Sequence, residues 1–195
     1  MDNVNFLLAG VGGQGTILAS DVLAEVGLKA GYETKKAEVH GMAQRGGSVT
    51  SHVRWAETAH SPLIAQGEVD ILLAFEKLEA LRVIEFLRPG GTVVVNDQAI
   101  IPITVTSGGM EYPDDERIRA VLAEVTDKVH WVNGYAIADQ LGNPRAANLV
   151  LLGALSSLLD VPENTWLEVI EQRVPARTVE LNRLAFHRGR ETIGR

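Results

Sequence analysis

The chain predicts an α/β fold: a Rossmann-like, doubly wound, mostly parallel sheet with additional C-terminal helices. Three observations carry this expectation. Short apolar runs alternate with helix-periodic segments through residue 96, a glycine-rich loop follows the first run, and helix-like segments crowd the last third of the chain.

Val4-Asn5-Phe6-Leu7-Leu8-Ala9 is a first apolar strand ending at glycines. From Gln14 to Ala30 the spacing of Ile17, Leu18, Val22, Leu23 and Val26 predicts a helix with one apolar stripe, stopped by Gly31. Thr34 to Val39 is a second strand, and the implied βαβ crossover predicts that it runs parallel to the first. Ser48 to Trp55 alternates in character, which predicts a strand with one wetter face at the sheet edge. Asp70 to Phe75 is a buried parallel-type strand, Glu76 to Leu87 a helix, and Pro89-Gly90-Gly91 a turn into the strand Thr92 to Val95. From Asp97 to Pro113 the pattern weakens, and an irregular segment with short extended pieces is expected. Asp114 to Val125 predicts a helix and Val129 to Val132 a last strand. Four helices follow, over Tyr135–Leu141, Ala146–Leu159, Glu163–Val174 and Val179–Arg188.

No linker-like run interrupts the 195 residues, so one domain over 1–195 is expected, large enough to bury about 70% of its unfolded surface. Hydrophobic residues make up 46% and charged residues 22%, the balance of a compact soluble chain. A net charge of −7 leaves no excess of Lys and Arg for general nucleic-acid binding, although a few donors still suffice for one local anion. There is no cysteine, which excludes disulfides, thiolate zinc sites and a cysteine-ligated Fe–S cluster on this polypeptide. The three spread histidines His40, His52 and His60 lack metal-ligand spacing. The first residues carry no basic segment, and the uncharged run between Arg145 and Asp160 is shorter than the roughly 20 residues of a membrane span. A cytoplasmic protein without membrane or nucleic-acid partners is expected.

Gly10-Val11-Gly12-Gly13-Gln14-Gly15 satisfies G-x-G-x-x-G between a strand and a helix. Glycines allow the tight turn and a close approach of phosphate, and the helix start supplies free N–H groups. Three readings stand beside one another: an anion or nucleotide-like ligand, a structural turn, and a glycine floor packed against another subunit. A dinucleotide would also need an acid near the end of the second strand, where Glu38 is the candidate for a free-standing NAD(P)-binding dehydrogenase. A second loop, His40 to Gly47, carries Arg45-Gly46-Gly47-Ser48. Here backbone N–H groups beside a guanidinium suit an anion, or else form a tight loop with a solvated Arg45. Both loops belong at the same C-terminal rim of the sheet.

Together these segments resemble a known family. Gly12-Gly13-Gln14-Gly15, with His40-Gly41-Met42-Ala43-Gln44-Arg45-Gly46-Gly47-Ser48 beginning 26 positions beyond Gln14, is similar to the γ-type domain of the pyruvate (ketoisovalerate)/2-oxoacid:ferredoxin oxidoreductases. Asn143-Pro144-Arg145-Ala146-Ala147-Asn148, Leu152-Gly153-Ala154-Leu155 and Asn182 to Gly189 extend the likeness along nearly the whole chain. The His-Gly-Met-Ala-Gln-Arg form looks like the indolepyruvate (arylpyruvate) branch, where the likeness is to the β subunit; other branches often have Tyr-Gly at His40-Gly41.

The resemblance implies an accessory subunit. Thiamine diphosphate and [4Fe–4S] clusters sit on a partner, which oxidatively decarboxylates a 2-oxoacid to an acyl-CoA and passes electrons to ferredoxin. The chain is then inactive alone, and it self-associates or stays single when isolated. No residue is assigned to catalysis. The candidate ligand contacts are Gly10, Gly12, Gly13, Gln14, Gly15, Arg45, Gly46, Gly47 and Ser48, facing a group such as coenzyme A. Gln14 either donates to that group or caps the helix. His40 is a proton donor or a structural loop residue, and Asn148 bonds a neighbouring loop or faces a partner. A non-catalytic interaction module is the remaining alternative.

Overall fold

The computed structural model describes residues 3–40, 47–106, 108 and 111–193. Six strands form one mixed sheet: β1 (Val4–Val11), β2 (Glu33–His40), β3 (Ser48–Ala56), β4 (Val69–Ala74), β5 (Leu87–Asn96) and β6 (Val129–Val132), in the order β2-β3-β1-β4-β5-β6. Strands β1, β4, β5 and β6 pair in parallel, whereas β3 is antiparallel to both β1 and β2.

The α/β class and the two covered faces match expectation. One face packs Phe6, Leu8, Val53, Trp55, Leu73 and Val94 against α1 (Thr16–Lys29) and the C-terminal helices. The opposite face packs Leu7, Leu72, Val93 and Val95 against α2 (Lys77–Arg82) and Ile118 and Leu122 of α4 (Asp115–Val125). A four-residue turn of helix, α3 (Ile103–Thr106), interrupts the otherwise irregular segment between β5 and α4.

Three local expectations are corrected. Strand β3 is not an edge strand: it lies between β1 and β2, with Val11 opposite Ser48 on one side and His40 opposite Val49 on the other. Consequently β1 and β2 run in the same direction without touching. The polar positions misled because two of them, Ser51 and His52, are buried inside the sheet, where the His52 Nδ1 accepts from the Ile64 N–H at 3.3 Å. The helix expected to run to Leu87 ends at Arg82, because Leu87 is pulled into pairing with Val69 of β4 and pairing there outweighs helix propensity. Finally, Ile17 is 47% exposed, so the buried stripe of α1 is Ala19, Val22, Leu23 and Val26.

The C-terminal helices are α5 (Gly134–Gln140), α6 (Ala147–Ser156), α7 (Glu163–Arg173) and α8 (Val179–Arg190). Helix α6 is buried all round, so the apolar Leu149–Leu155 face belongs to the chain's own core. Glycines permit its crossing with α8. A Cβ on Gly153 would sit 2.0 Å from the Phe186 carbonyl oxygen, and one on Gly189 would sit 1.9 Å from that of Val150. No helix among the described residues is long and apolar enough to cross a membrane.

Candidate functional site

Strand β1 delivers the first glycine loop to the C-terminal rim, and β3 starts there after the second loop. The two are joined directly: the Gly12 N–H donates to the Gly47 carbonyl at 2.9 Å, one residue beyond the Val11–Ser48 pair. Gly12 and Gly47 are therefore brought together as expected. Gly41 to Gly46, including Arg45, lie outside the described residues, so the expected guanidinium contact is not located.

Each residue of the first loop has a distinct job. Gly10 is packed, since a Cβ there would meet Thr16 Oγ1 at 2.8 Å and the Phe75 Cβ at 2.9 Å. Gly13 adopts φ +106° with open space where a side chain would be, and Gly15 adopts φ +80° directly before α1. Gln14 is held from both sides: its Oε1 accepts from the Val11 N–H at 2.8 Å, and its Nε2 donates to the Phe75 carbonyl at 2.9 Å. Its amide thus braces β1 against β4.

Helix α1 has no side-chain cap and no acidic residue in its first turn. Its first N–H groups lack intrahelical acceptors, and its positive dipole end is not offset locally. These groups border a cleft of about 450 Å³ lined by Val11, Gly12, Gly13, Gly15, Thr16, Ile17 and Val49. The cleft has a backbone floor and aliphatic walls, a combination that suits an anionic group on an apolar carrier.

Sequence reasoning missed the support behind this rim. Glu79 is buried on α2, accepts from the Ser48 hydroxyl at 2.5 Å and pairs with Arg82 at 3.0 Å. Burial raises its carboxyl above the ordinary value of 4.5, against the opposing Ser48 bond and Arg82 charge. Glu76, also buried, accepts from the N–H groups of Glu79 and Ile100 and from the Tyr112 hydroxyl at 2.5 Å. Burial, followed by this bond, raises the Tyr112 phenol above its usual range. The signal was present as two glutamates following an apolar strand, but nothing in the spacing distinguishes them from a solvated helix start. Asn148 of α6 is buried against Gly15, where a Cβ would come within 2.5 Å of its Nδ2, so the third motif meets the first.

The dinucleotide arrangement is not formed. Strand β3 separates β2 from β1, and the Glu38 carboxylate lies 2.6 Å from the Lys36 ammonium on the outer strand. No cluster of three or more metal-ligating side chains occurs among the described residues.

Residues 5–192 match the family described as pyruvate ferredoxin/flavodoxin oxidoreductase. The chain belongs to this oxidoreductase family. Among its relatives, the indolepyruvate oxidoreductase subunit IorB of Thermococcus kodakarensis is 38% identical, with 97% of this chain and 95% of the relative covered. The same-named subunit of Archaeoglobus fulgidus is 39% identical over 95% of this chain and 93% of its own length. A 2-oxoglutarate synthase subunit KorC of Methanothermobacter marburgensis is 29% identical over 95% and 94%. Among solved structures, the γ subunit of a keto/oxoacid ferredoxin oxidoreductase from Geobacter sulfurreducens superposes with a TM-score of 0.72, at 26% identity and 97% coverage of both chains. The family assignment agrees with the paired glycine motifs and the mixed sheet.

Proposed function

We infer that this chain is the accessory subunit of a 2-oxoacid:ferredoxin oxidoreductase of the indolepyruvate type. In that reading it is one domain over residues 1–195, cytoplasmic, and inactive alone. Thiamine diphosphate and [4Fe–4S] clusters reside on the partner subunit, which is consistent with a chain that has no cysteine. The partner's reaction is oxidative decarboxylation of the 2-oxoacid to an acyl-CoA with electrons delivered to ferredoxin.

The observation that carries this reading is the Gly12–Gly47 hydrogen bond, which closes two glycine motifs around the uncapped start of α1. Backbone N–H groups of Gly13, Gly15, Gly46, Gly47 and Ser48, with the Arg45 guanidinium, would face an anionic portion of coenzyme A, while Gly12, whose N–H is taken by the Gly47 carbonyl, would hold the two turns together beside it. Gly10 and Gln14 would shape the floor from behind. The aliphatic wall of Ile17 and Val49 would take the less polar part of the same molecule.

The test is reconstitution. The purified chain should show no 2-oxoacid oxidation, and mixing it with a thiamine- and Fe–S-containing partner should restore CoA-dependent oxidation of indolepyruvate with ferredoxin reduction. A partner that turns over at the same rate without this chain would overturn the reading.

A further inference from the structure

We propose that a second recess, on the other side of Gly13, binds a carboxylate borne on a short apolar stem through Arg145 and the side-chain amide of Gln98. The recess has a volume of about 190 Å³, and its lining includes Gln98, Arg145, Tyr135, Phe75, Ile100 and Leu151.

The argument begins with the orientation of three amides. Gln14 is fixed because its Oε1 accepts from the Val11 N–H and its Nε2 donates to the Phe75 carbonyl. Asn96 is fixed because its Oδ1 accepts from the Gly134 N–H at 3.0 Å and its Nδ2 donates to the same Phe75 carbonyl at 3.1 Å. Both amides turn their remaining hydrogens to Gln98 Oε1, at 3.4 Å and 3.1 Å. Gln98 must therefore present its oxygen to this network and its NH₂ away from it. Its backbone is anchored as well, since its carbonyl accepts from the Lys77 N–H at 3.1 Å. Among the described residues the Gln98 NH₂ has no acceptor.

Arg145 adds the charge. Its backbone N–H is held by Asn143 Oδ1 at 3.1 Å, following the rigid Pro144, while its exposed guanidinium has no ion-pair or hydrogen-bond partner among the described residues. Among the described residues no Asp or Glu lines the recess. Two groups that only donate, with no carboxylate lining the recess among the described residues, favour an acceptor ligand over a cation. One guanidinium matches one negative charge, and its planar fork fits a carboxylate. A phosphate dianion would keep a charge unmatched beside Phe75, Ile100 and Leu151, where desolvation disfavours it. The apolar walls fit the stem instead.

This site is separate from the cleft at the start of α1, and its test needs neither partner nor turnover. The isotopically labelled full chain is titrated with butyrate while the Gln98 side-chain amide is followed by NMR, with butyramide and inorganic phosphate as controls. Butyrate should shift the Gln98 resonances saturably, Arg145→Gln should weaken that binding tenfold or more without changing the melting temperature, and butyramide should leave Gln98 unmoved. Repeating the titration in the assembled complex separates two sources of the carboxylate. Loss of the butyrate response, with weaker assembly of Arg145→Gln, assigns it to a partner side chain; a retained response assigns it to a small acid. The proposal is overturned if butyrate gives no saturable shift, if butyramide or phosphate binds as well, or if Arg145→Gln binds butyrate as tightly as the parent.

Discussion

Gly12 and Gly47 lie 35 positions apart in the chain, yet the N–H of the first donates to the carbonyl of the second at 2.9 Å. That bond continues the β1–β3 ladder past its last pair and holds two glycine turns on one rim. The consequences of this arrangement, and of the packing that supports it, can be measured.

Gly13 and Gly67 both have positive φ, +106° and +77°, and neither has a neighbour within 4 Å of a built side chain. Alanine at either position should cost about 1–3 kcal/mol of backbone strain, seen as a fall in melting temperature of about 2–4 °C per kcal/mol. Only Gly13 borders the cleft, so in the reconstituted enzyme only Gly13→Ala should also raise the KM for coenzyme A. Equal KM values for the two variants would remove Gly13 from the site.

Ser48 and Glu79 should be energetically coupled. Ser48→Ala withdraws a donor from a buried carboxylate, at an expected cost of about 1–3 kcal/mol in urea denaturation. In a double-mutant cycle with Glu79→Gln the effects should be non-additive by about 0.5 kcal/mol or more. Strict additivity would show that the second turn is not anchored through this pair.

The α6–α8 crossing tolerates no side chain. Gly153→Ala and Gly189→Ala each force a methyl group onto a backbone carbonyl. Each should destabilise by about 1–3 kcal/mol or more, read as a lower melting temperature. A variant as stable as the parent at either position would contradict this packing.

His52 gives a pH dependence with a definite sign. Burial, followed by the charge of Arg54, holds its imidazole below the ordinary value of 6.5. The unfolded chain therefore binds a proton more readily than the folded one, so this contribution to stability is complete above about pH 6.5 and is lost as pH falls below it. Between about pH 7.5 and pH 5 the parent should lose more melting temperature than His52→Gln does. Parallel curves for the two proteins would show that the imidazole does not titrate differently on folding.

Much of the architecture could be read from local pattern. The apolar runs of β1, β4 and β6, the Asp114 cap of α4, and the glycine, asparagine and proline stops between the C-terminal helices all act within a few residues of themselves. Hydrophobic period and capping chemistry specify them before any long-range contact forms. The glycine motifs were legible for the same reason, because a left-handed backbone such as that of Gly13 or Gly15 leaves a residue-type signature.

Strand order was not legible. Ser48 to Ala56 has the alternation of an edge strand, and only its simultaneous pairing with β1 and β2 buries Ser51 and His52 in the sheet interior. The site divides in the same way. Composition and motifs alone establish an α/β chain without cysteine, carrying two glycine turns. That those turns share a hydrogen bond, that Glu79 props the second, and that Gln98 turns its oxygen to Gln14 follow from contacts between residues 31 to 84 positions apart. Such contacts form only when the whole sheet assembles, and no local propensity encodes them.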